Sequence, residues 1–308
     1  MSPAGDFLAL LELPREDEPD ENKFRTNRAG GLWLWNRATD GIEFVAEFSA
    51  FTSLCWSPVG DNLLAFDVDT PLAHLAVYYA GGGKALEFGS FRAVTAAAWS
   101  PNGDSIIVAD SVDTERTVVY RQPLRGDRTV LFKWRGSISF ISACPGGYAV
   151  YGGDLYITDK SGKKRRRVRI PSDAATYESS VNARLSANGA GSKLAVFTEY
   201  NWGEPHRNYH QELWIVSPNS GAKWRAATWD ETLGGFEPDD ASMVARSAEG
   251  WSAAGRYVLV LGNVQSGISP GAYRDDRFVL WVYDTVRKRG SKLFDSGSGC
   301  PGATWWQE

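Results

Sequence analysis

Trp56-Ser57-Pro58-Val59-Gly60-Asp61 and Trp99-Ser100-Pro101-Asn102-Gly103-Asp104 are one phrase written twice, 43 residues apart. A short apolar run follows each copy: Leu63-Leu64-Ala65-Phe66 after the first, Ile106-Ile107-Val108-Ala109 after the second. Self-similarity at this period is the mark of a repeat architecture, so it decides the fold before any single residue is interpreted. The phrase itself is turn chemistry. Proline presets φ, glycine allows positive φ, and aspartate bonds nearby backbone amides. It builds a scaffold and carries no reaction.

Degenerate copies continue along the chain. Ser142-Ala143-Cys144-Pro145-Gly146-Gly147 precedes Tyr148-Ala149-Val150-Tyr151. Leu185-Ser186-Ala187-Asn188-Gly189 precedes Lys193-Leu194-Ala195-Val196-Phe197, which reads as a copy with a two-residue insertion. Trp251-Ser252-Ala253-Ala254-Gly255-Arg256 leads into Tyr257-Val258-Leu259-Val260-Leu261. A sixth copy is split: the chain opens with Ser2-Pro3-Ala4-Gly5-Asp6 and ends with Ala303-Thr304-Trp305-Trp306. Joined, the two ends make one phrase, which predicts that the last strand completes the first sheet and leaves no open edge. Each repeat also holds a third strand, such as Gly31-Leu32-Trp33-Leu34-Trp35 or Val279-Leu280-Trp281-Val282-Tyr283, then a polar turn and an outer strand. The expectation is an all-β chain: a single six-bladed β-propeller over residues 1–308, read as a monomer, with four-stranded antiparallel blades and a 3+1 closure.

The Trp-Ser-Pro-x-Gly-Asp turns, together with third strands of the type Asp154-Leu155-Tyr156-Ile157-Thr158-Asp159, resemble the TolB-like, or WD40-like, propeller repeat family. The resemblance spans nearly the whole chain and implies architecture rather than activity. The Gly-His and Trp-Asp pair of true WD repeats is absent. Propellers of this kind also cap peptidases of the prolyl oligopeptidase type; the 308 residues here are expected to be propeller alone.

The chain has no apolar window long enough for a transmembrane helix. Its N-terminus lacks a basic stretch followed by an apolar run and a cleavage site. Cys55, Cys144 and Cys300 fall at related strand positions with no Cys-x-x-Cys, which reads as buried free thiols. Together these predict a cytoplasmic location, or a periplasmic or secreted one if a leader has been removed. The formal net charge of −4 gives no support for general nucleic-acid binding.

Function is sought where the chain departs from its repeat, because rigid scaffolds carry sites on their loops. Residues 14–30 form a long acidic, proline-containing connection, read as a solvated loop or an acidic clamp. Residues 199–210 hold Tyr200, Trp202, Glu204, His206, Arg207 and His210 in what reads as one loop. Tyrosine and tryptophan among polar groups suit recognition of a partner. His206 and His210 have helical spacing, but Gly203 and Pro205 oppose a helix, so no metal is assigned. A large insertion over residues 229–248 adds Trp229, Asp239 and Asp240, and residues 264–277 add Tyr273, Arg274 and Asp276. These segments are expected to sit side by side as one partner-binding rim over blades five, six and one.

Two further features carry weaker signals. Asp67 and Asp69, and Asp110 and Asp113, follow equivalent second strands; they read as turn caps, with Ca2+ in the channel as the alternative. Lys163, Lys164, Arg165, Arg166 and Arg167 form the strongest charge run, read as a protected edge strand, with an anion contact as the alternative. No nucleophile elbow, phosphate-binding loop or His-Glu-x-x-His motif occurs, and three histidines leave little base capacity at neutral pH. No cofactor is assigned. The sequence favours a non-catalytic scaffold that binds a protein or peptide. A carbohydrate-binding or glycoside-acting propeller is the second reading, and nucleic acid the third.

Overall fold

A computed structural model describes residues 2, 5–12, 30–48, 52–67, 75–82, 85–89, 91–170, 181–202, 208–232, 241–252, 255–266 and 277–295. The chain divides into two compact units, Met1–Arg167 and Val168–Glu308. All its described regular elements are strands, and each sheet is an antiparallel meander in chain order.

The first unit begins with blade one: β1 (Phe7–Glu12), β2 (Gly30–Asn36) and β3 (Gly41–Phe48). Blade two is β4 (Thr52–Trp56), β5 (Asn62–Asp67), β6 (Leu75–Tyr79) and β7 (Leu86–Glu87). Blade three is β8 (Val94–Trp99), β9 (Ser105–Asp113), β10 (Arg116–Pro123) and β11 (Thr129–Arg135). Blade four is β12 (Phe140–Cys144), β13 (Gly147–Tyr151), β14 (Leu155–Asp159) and β15 (Arg165–Val168). In the second unit, blade five is β16 (Val181–Ala187), β17 (Leu194–Trp202), β18 (Asn208–Val216) and β19 (Lys223–Thr232). Blade six is β20 (Ala241–Trp251), β21 (Tyr257–Ser266), β22 (Arg277–Asp284) and β23 (Arg289–Asp295). Six consecutive blades of this kind make the fold a six-bladed β-propeller. Blade one shows three strands from the front of the chain. The fourth, expected from residues 303–308, lies outside the described residues.

The repeated phrase is the hairpin between the first two strands of a blade. Its backbone pairing recurs: Ser2, Ser57, Ser100, Asn188 and Ser252 each donate N–H to the carbonyl five residues on. In four of these turns the glycine three residues on donates back: Gly5 to Ser2, Gly103 to Ser100, Gly191 to Asn188 and Gly255 to Ser252. All four glycines have positive φ, between 62° and 77°. The serine hydroxyl, or the Asn188 amide oxygen, accepts a further backbone N–H: Ser105 to Ser100 at 3.1 Å, Lys193 to Asn188 at 3.0 Å and Tyr257 to Ser252 at 3.0 Å. Blade five therefore has no two-residue insertion. Its phrase is Asn188-Gly189-Ala190-Gly191-Ser192-Lys193, and asparagine replaces serine because its side-chain oxygen reaches the same amide.

The phrase also joins blades, as its tryptophan is expected to do. Trp99 donates its indole Nε1–H to the Cys55 carbonyl of blade two at 2.9 Å. A Cβ on Gly103 would lie 2.8 Å from the Ser57 hydroxyl, and one on Gly255 would lie 2.4 Å from the Asn188 amide nitrogen. Each of these glycines packs into the turn of the blade before it. Lys193 reinforces the five–six contact, donating to the Gly255 carbonyl at 3.3 Å and the Thr285 hydroxyl at 2.9 Å.

The core lies between successive sheets. One cluster joins Leu32 and Leu34 to Leu63 and Ala65, the next joins Leu64 and Phe66 to Ile106 and Val108, and a third joins Ile107 and Ala109 to Ile141 and Val150. In the second unit, Ala195, Leu213 and Ile215 pack on Val258, Val260 and Tyr283. Inner strands are covered on both faces, so β9 is apolar almost without alternation over Ile106–Ala109. The outer strand β11 alternates, burying Phe132 and Trp134 and exposing Lys133 and Arg135. A register shift recurs between third and fourth strands at Leu32/Trp33, Val119/Tyr120, Leu213/Trp214 and Leu280/Trp281. A bulge of this kind adds right-handed twist, which turns the outer strand of a blade relative to the inner one.

Candidate functional site

Blades five and six hold the three longest described strands, β19, β20 and β21. On β17 the side chains from Leu194 to Thr198 are buried, and on β18 those from Gln211 to Val216. The backbone ladder continues beyond this zone. Tyr200 pairs with His210, Asn201 with Tyr209, and Trp202 with Asn208. On the other side of β18, His210 pairs with Asp230, Tyr209 with Glu231, and Gln211 with Trp229. Tyr200, His210 and Asp230 thus occupy one row across three strands. This row lies two register positions beyond Thr198, Glu212 and Thr228.

Glu212 lies within this buried stretch. It is 1% exposed and accepts hydrogen bonds from the Trp214 indole at 3.0 Å and from Arg225 at 3.0 Å. A carboxylate this deep requires such partners, since an isolated buried charge is costly. Sequence reading passed over Glu212 and Arg225. The available signal was an acidic residue heading an otherwise apolar strand.

The predicted loops are shorter than their sequence suggested. Residues 199–202 and 208–210 belong to β17 and β18 and do not form one loop around 199–210. The 229–248 insertion resolves into the ends of β19 and β20, and 264–277 into the ends of β21 and β22. Polar and aromatic residues at the ends of long hairpins carry no apolar signal, yet the backbone ladder runs through them. The structure therefore brings Tyr200, His210 and Trp229 together on adjacent strands and puts Trp202 at the β17 end. Glu204, His206, Arg207, Asp239, Asp240, Tyr273, Arg274 and Asp276 lie outside the described residues. Within the second unit the phrase turns of blades five and six touch at Gly255 and Asn188. The opposite hairpin ends, at Trp202 and Asn208 on blade five and at Ser266 and Arg277 on blade six, therefore share one side.

The aspartates offered as calcium ligands are engaged in backbone caps where they are described. Asp110 is buried and accepts the backbone N–H groups of Arg92 and Ala93 at 2.9 and 3.0 Å. Asp113 accepts the Glu115 N–H at 3.0 Å and the Arg116 guanidinium, which holds its carboxyl below the usual range. Asp69 lies outside the described residues. Among the described residues no group of three or more His, Cys, Asp or Glu side chains could hold a metal ion. Cys55 and Cys144 are free thiols, and burial pushes each up to about 11. Cys300 lies outside the described residues.

The basic run falls on the β14–β15 hairpin, with β15 at the outer edge of blade four. Asp159 organises its turn, accepting from the Ser161 hydroxyl at 2.8 Å and from the backbone of Ser161 and Lys163 at 3.0 Å each. Arg165 lies over the Trp134 ring at 4.2 Å and donates to the Gly162 and Lys133 carbonyls, both at 3.0 Å. Arg167 pairs with Asp154 at 2.8 Å. Between this hairpin and β11 runs an open groove of about 540 Å³, lined by Leu131, Phe132, Lys133, Ser161, Gly162, Lys163 and Arg165.

No family model matches this sequence, and none of the curated proteins matches it either. Solved structures match by fold. A protein assigned as TolB from Agrobacterium tumefaciens superposes with a TM-score of 0.50 at 16% identity, over 88% of this chain and 90% of its own. The β-propeller domain of the Trilobed protease from Pyrococcus furiosus does so with a TM-score of 0.53 at 15% identity, over 97% of this chain and 84% of its own. In fold, the chain is a β-propeller similar to these two. At such identities the likeness is one of architecture, and function has to come from its own residues. Among the described residues no helix is long and apolar enough to cross a membrane.

Proposed function

We propose that this propeller is a non-catalytic binding module that takes a protein or peptide partner on the extended rim of blades five and six. The supporting observation is the continuation of the blade-five ladder past Thr198 and Gln211, carrying Tyr200, Trp202, Tyr209, His210 and Trp229 among Asp230 and Glu231. Aromatic side chains on a hydrogen-bonded ladder lose little freedom when a partner covers them. Glu204, His206, Arg207, Asp239, Asp240, Tyr273, Arg274 and Asp276 fall in the segments joining these strands and belong to the same proposed surface.

The test is a variant with Trp202→Ala, His206→Ala and Tyr273→Ala together. Peptides selected from a random display library on the wild-type chain are expected to bind the variant at least about tenfold more weakly. Its unfolding midpoint is expected to stay within about 2 °C. A matching loss of stability would make the segments structural and end the proposal. A glycan array and a glycoside hydrolase screen run in parallel are expected to be blank. A glycan signal lost in the triple variant would establish the carbohydrate reading in its place.

A further inference from the structure

The groove beside β11 gathers cations without acids. Three cations elsewhere in the first unit are paired: Arg116 with Asp113, Arg121 with Asp104, and Arg167 with Asp154. Lys133, Lys163 and Arg165 line one groove, no carboxylate lines it with them, and no ion pair joins them to an acid among the described residues. Arg165 is fixed in place. One face stacks on Trp134, and Nε and Nη2 are committed to two carbonyls, which leaves Nη1 for an incoming oxygen. The walls are fixed as well. Gly162 has φ +68° and packs so closely on Phe132 that a Cβ there would lie 2.2 Å from the ring. The groove therefore exists before any ligand arrives.

Its shape selects among anions. The floor is Leu131 and Phe132, and Val130 beside it is 55% exposed, so the lining is partly apolar. β11 is the outer strand of its sheet and pairs on one side only, with β10. An outer strand with alternating apolar and charged side chains suits an extended polypeptide, with the Lys133 carbonyl already taken by Arg165. Single-stranded nucleic acid needs open aromatic faces for its bases, and the Trp134 face is covered by Arg165. We propose that this groove is a docking site for an extended acidic peptide, which lies along β11 and sets carboxylates against Lys133, Lys163 and Arg165.

The site is built from residues of the first unit alone and does not depend on the blade-five reading. The probe is a fluorescein-labelled peptide of alternating Glu and Val, about eight residues long to match a strand of this size, titrated against the full chain. A Gln-Val peptide and a single-stranded oligonucleotide of equal charge run beside it. The acidic peptide is expected to bind and to weaken with salt, and the Gln-Val peptide to bind at least about tenfold more weakly. Lys133→Glu with Lys163→Glu is expected to weaken acidic-peptide binding by about tenfold or more. Arg37→Glu with Arg125→Glu, the same charge change on exposed turns elsewhere, is expected to stay within about twofold. Urea midpoints of both variants confirm that they fold. Absent binding at low salt, equal binding of the neutral peptide, or equal loss in the control variant would overturn the proposal. Tighter binding by the oligonucleotide, lost in the Lys133 and Lys163 variant, would overturn it in favour of nucleic acid.

Discussion

Asp104 shows how one residue of a repeated phrase takes on a role its twin lacks. Its carboxylate is held at about 2, first by the Ser105 hydroxyl, then by Asn102, Arg121 and Ser100. In the other full copy of the phrase, Asp61 Oδ1 is buried without a hydrogen-bond partner. The difference lies first in Ser105 and Asn102, which stand where the other copy has Asn62 and Val59, and then in Arg121 on β10, which reaches back to both Asp104 oxygens at 3.1 Å. A carboxyl whose folded pKa is depressed contributes stability above its unfolded pKa of about 3.9, and loses it as pH falls through the folded value. Asp104 therefore stabilises the chain fully above about pH 4 and ceases to do so near pH 2. The group is half exposed, so screening keeps the effect modest. In Asp104→Asn, the fall of the melting temperature between about pH 4 and pH 2 is expected to be shallower than in wild type. An unchanged slope would mean the network does not act on stability.

At the scale of the element, the turn glycines divide into two kinds. Gly60 and Gly255 both have positive φ, 74° and 65°, but a Cβ on Gly60 meets nothing, whereas one on Gly255 meets Asn188. Asn188 cannot swing away freely, because it donates to Ser192 and accepts from Lys193. Gly60→Ala is expected to cost about 1–2 kcal/mol, the penalty of a left-handed backbone alone. Gly255→Ala is expected to cost clearly more, read as the difference in urea midpoints. Equal costs would show that the turn of blade five gives way. The sequence displays these turns well and their partners poorly. Trp-Ser-Pro-x-Gly-Asp was legible because each residue type answers a backbone need. The register of blade five was not, because Ser186 and Asn188 offer the same side-chain oxygen two positions apart. The ends of β17 and β18 were hidden for another reason. Outside the core, hydrophobic alternation stops although hydrogen bonding continues, so a strand such as Tyr200–Trp202 reads as loop.

At the scale of the molecule, the first unit contains two internal reporters. Cys55 lies on β4 of blade two and Cys144 on β12 of blade four. Cys55 is half-buried as a residue, yet its thiol is packed away from water, and burial dominates the upward shift of both thiols. At pH 8 about one thiol in a thousand is the reactive thiolate, so labelling reports opening of the structure. Alkylation at pH 8, followed by mass spectrometry of the two peptides, is expected to be slow and equal at both sites, and to speed up in parallel with added urea. Faster labelling of Cys55 alone would show that blade two opens independently. The fold at this scale was legible from periodicity, since six copies of one turn leave few alternatives. The proposed binding surface can be read from the sequence only as departure from the repeat.

Blade four is the exception among these turns. Its first hairpin is a two-residue Pro145-Gly146 connection between Cys144 and Gly147, and a Cβ on Gly146 would meet nothing. Its junction with blade three rests on side chains farther out, with Trp134 edge-on to Tyr156 at 5.2 Å and Phe132 beside Tyr148 at 5.8 Å. The repeats are consequently not interchangeable units. A copy of blade three spliced after blade two finds the serine that its glycine fits, while blade four set in the place of blade six would bring no glycine to Asn188 and no receiver for Lys193. Duplication, deletion or shuffling within this chain is restricted to blades whose edges agree, and the edges of blade four agree with few.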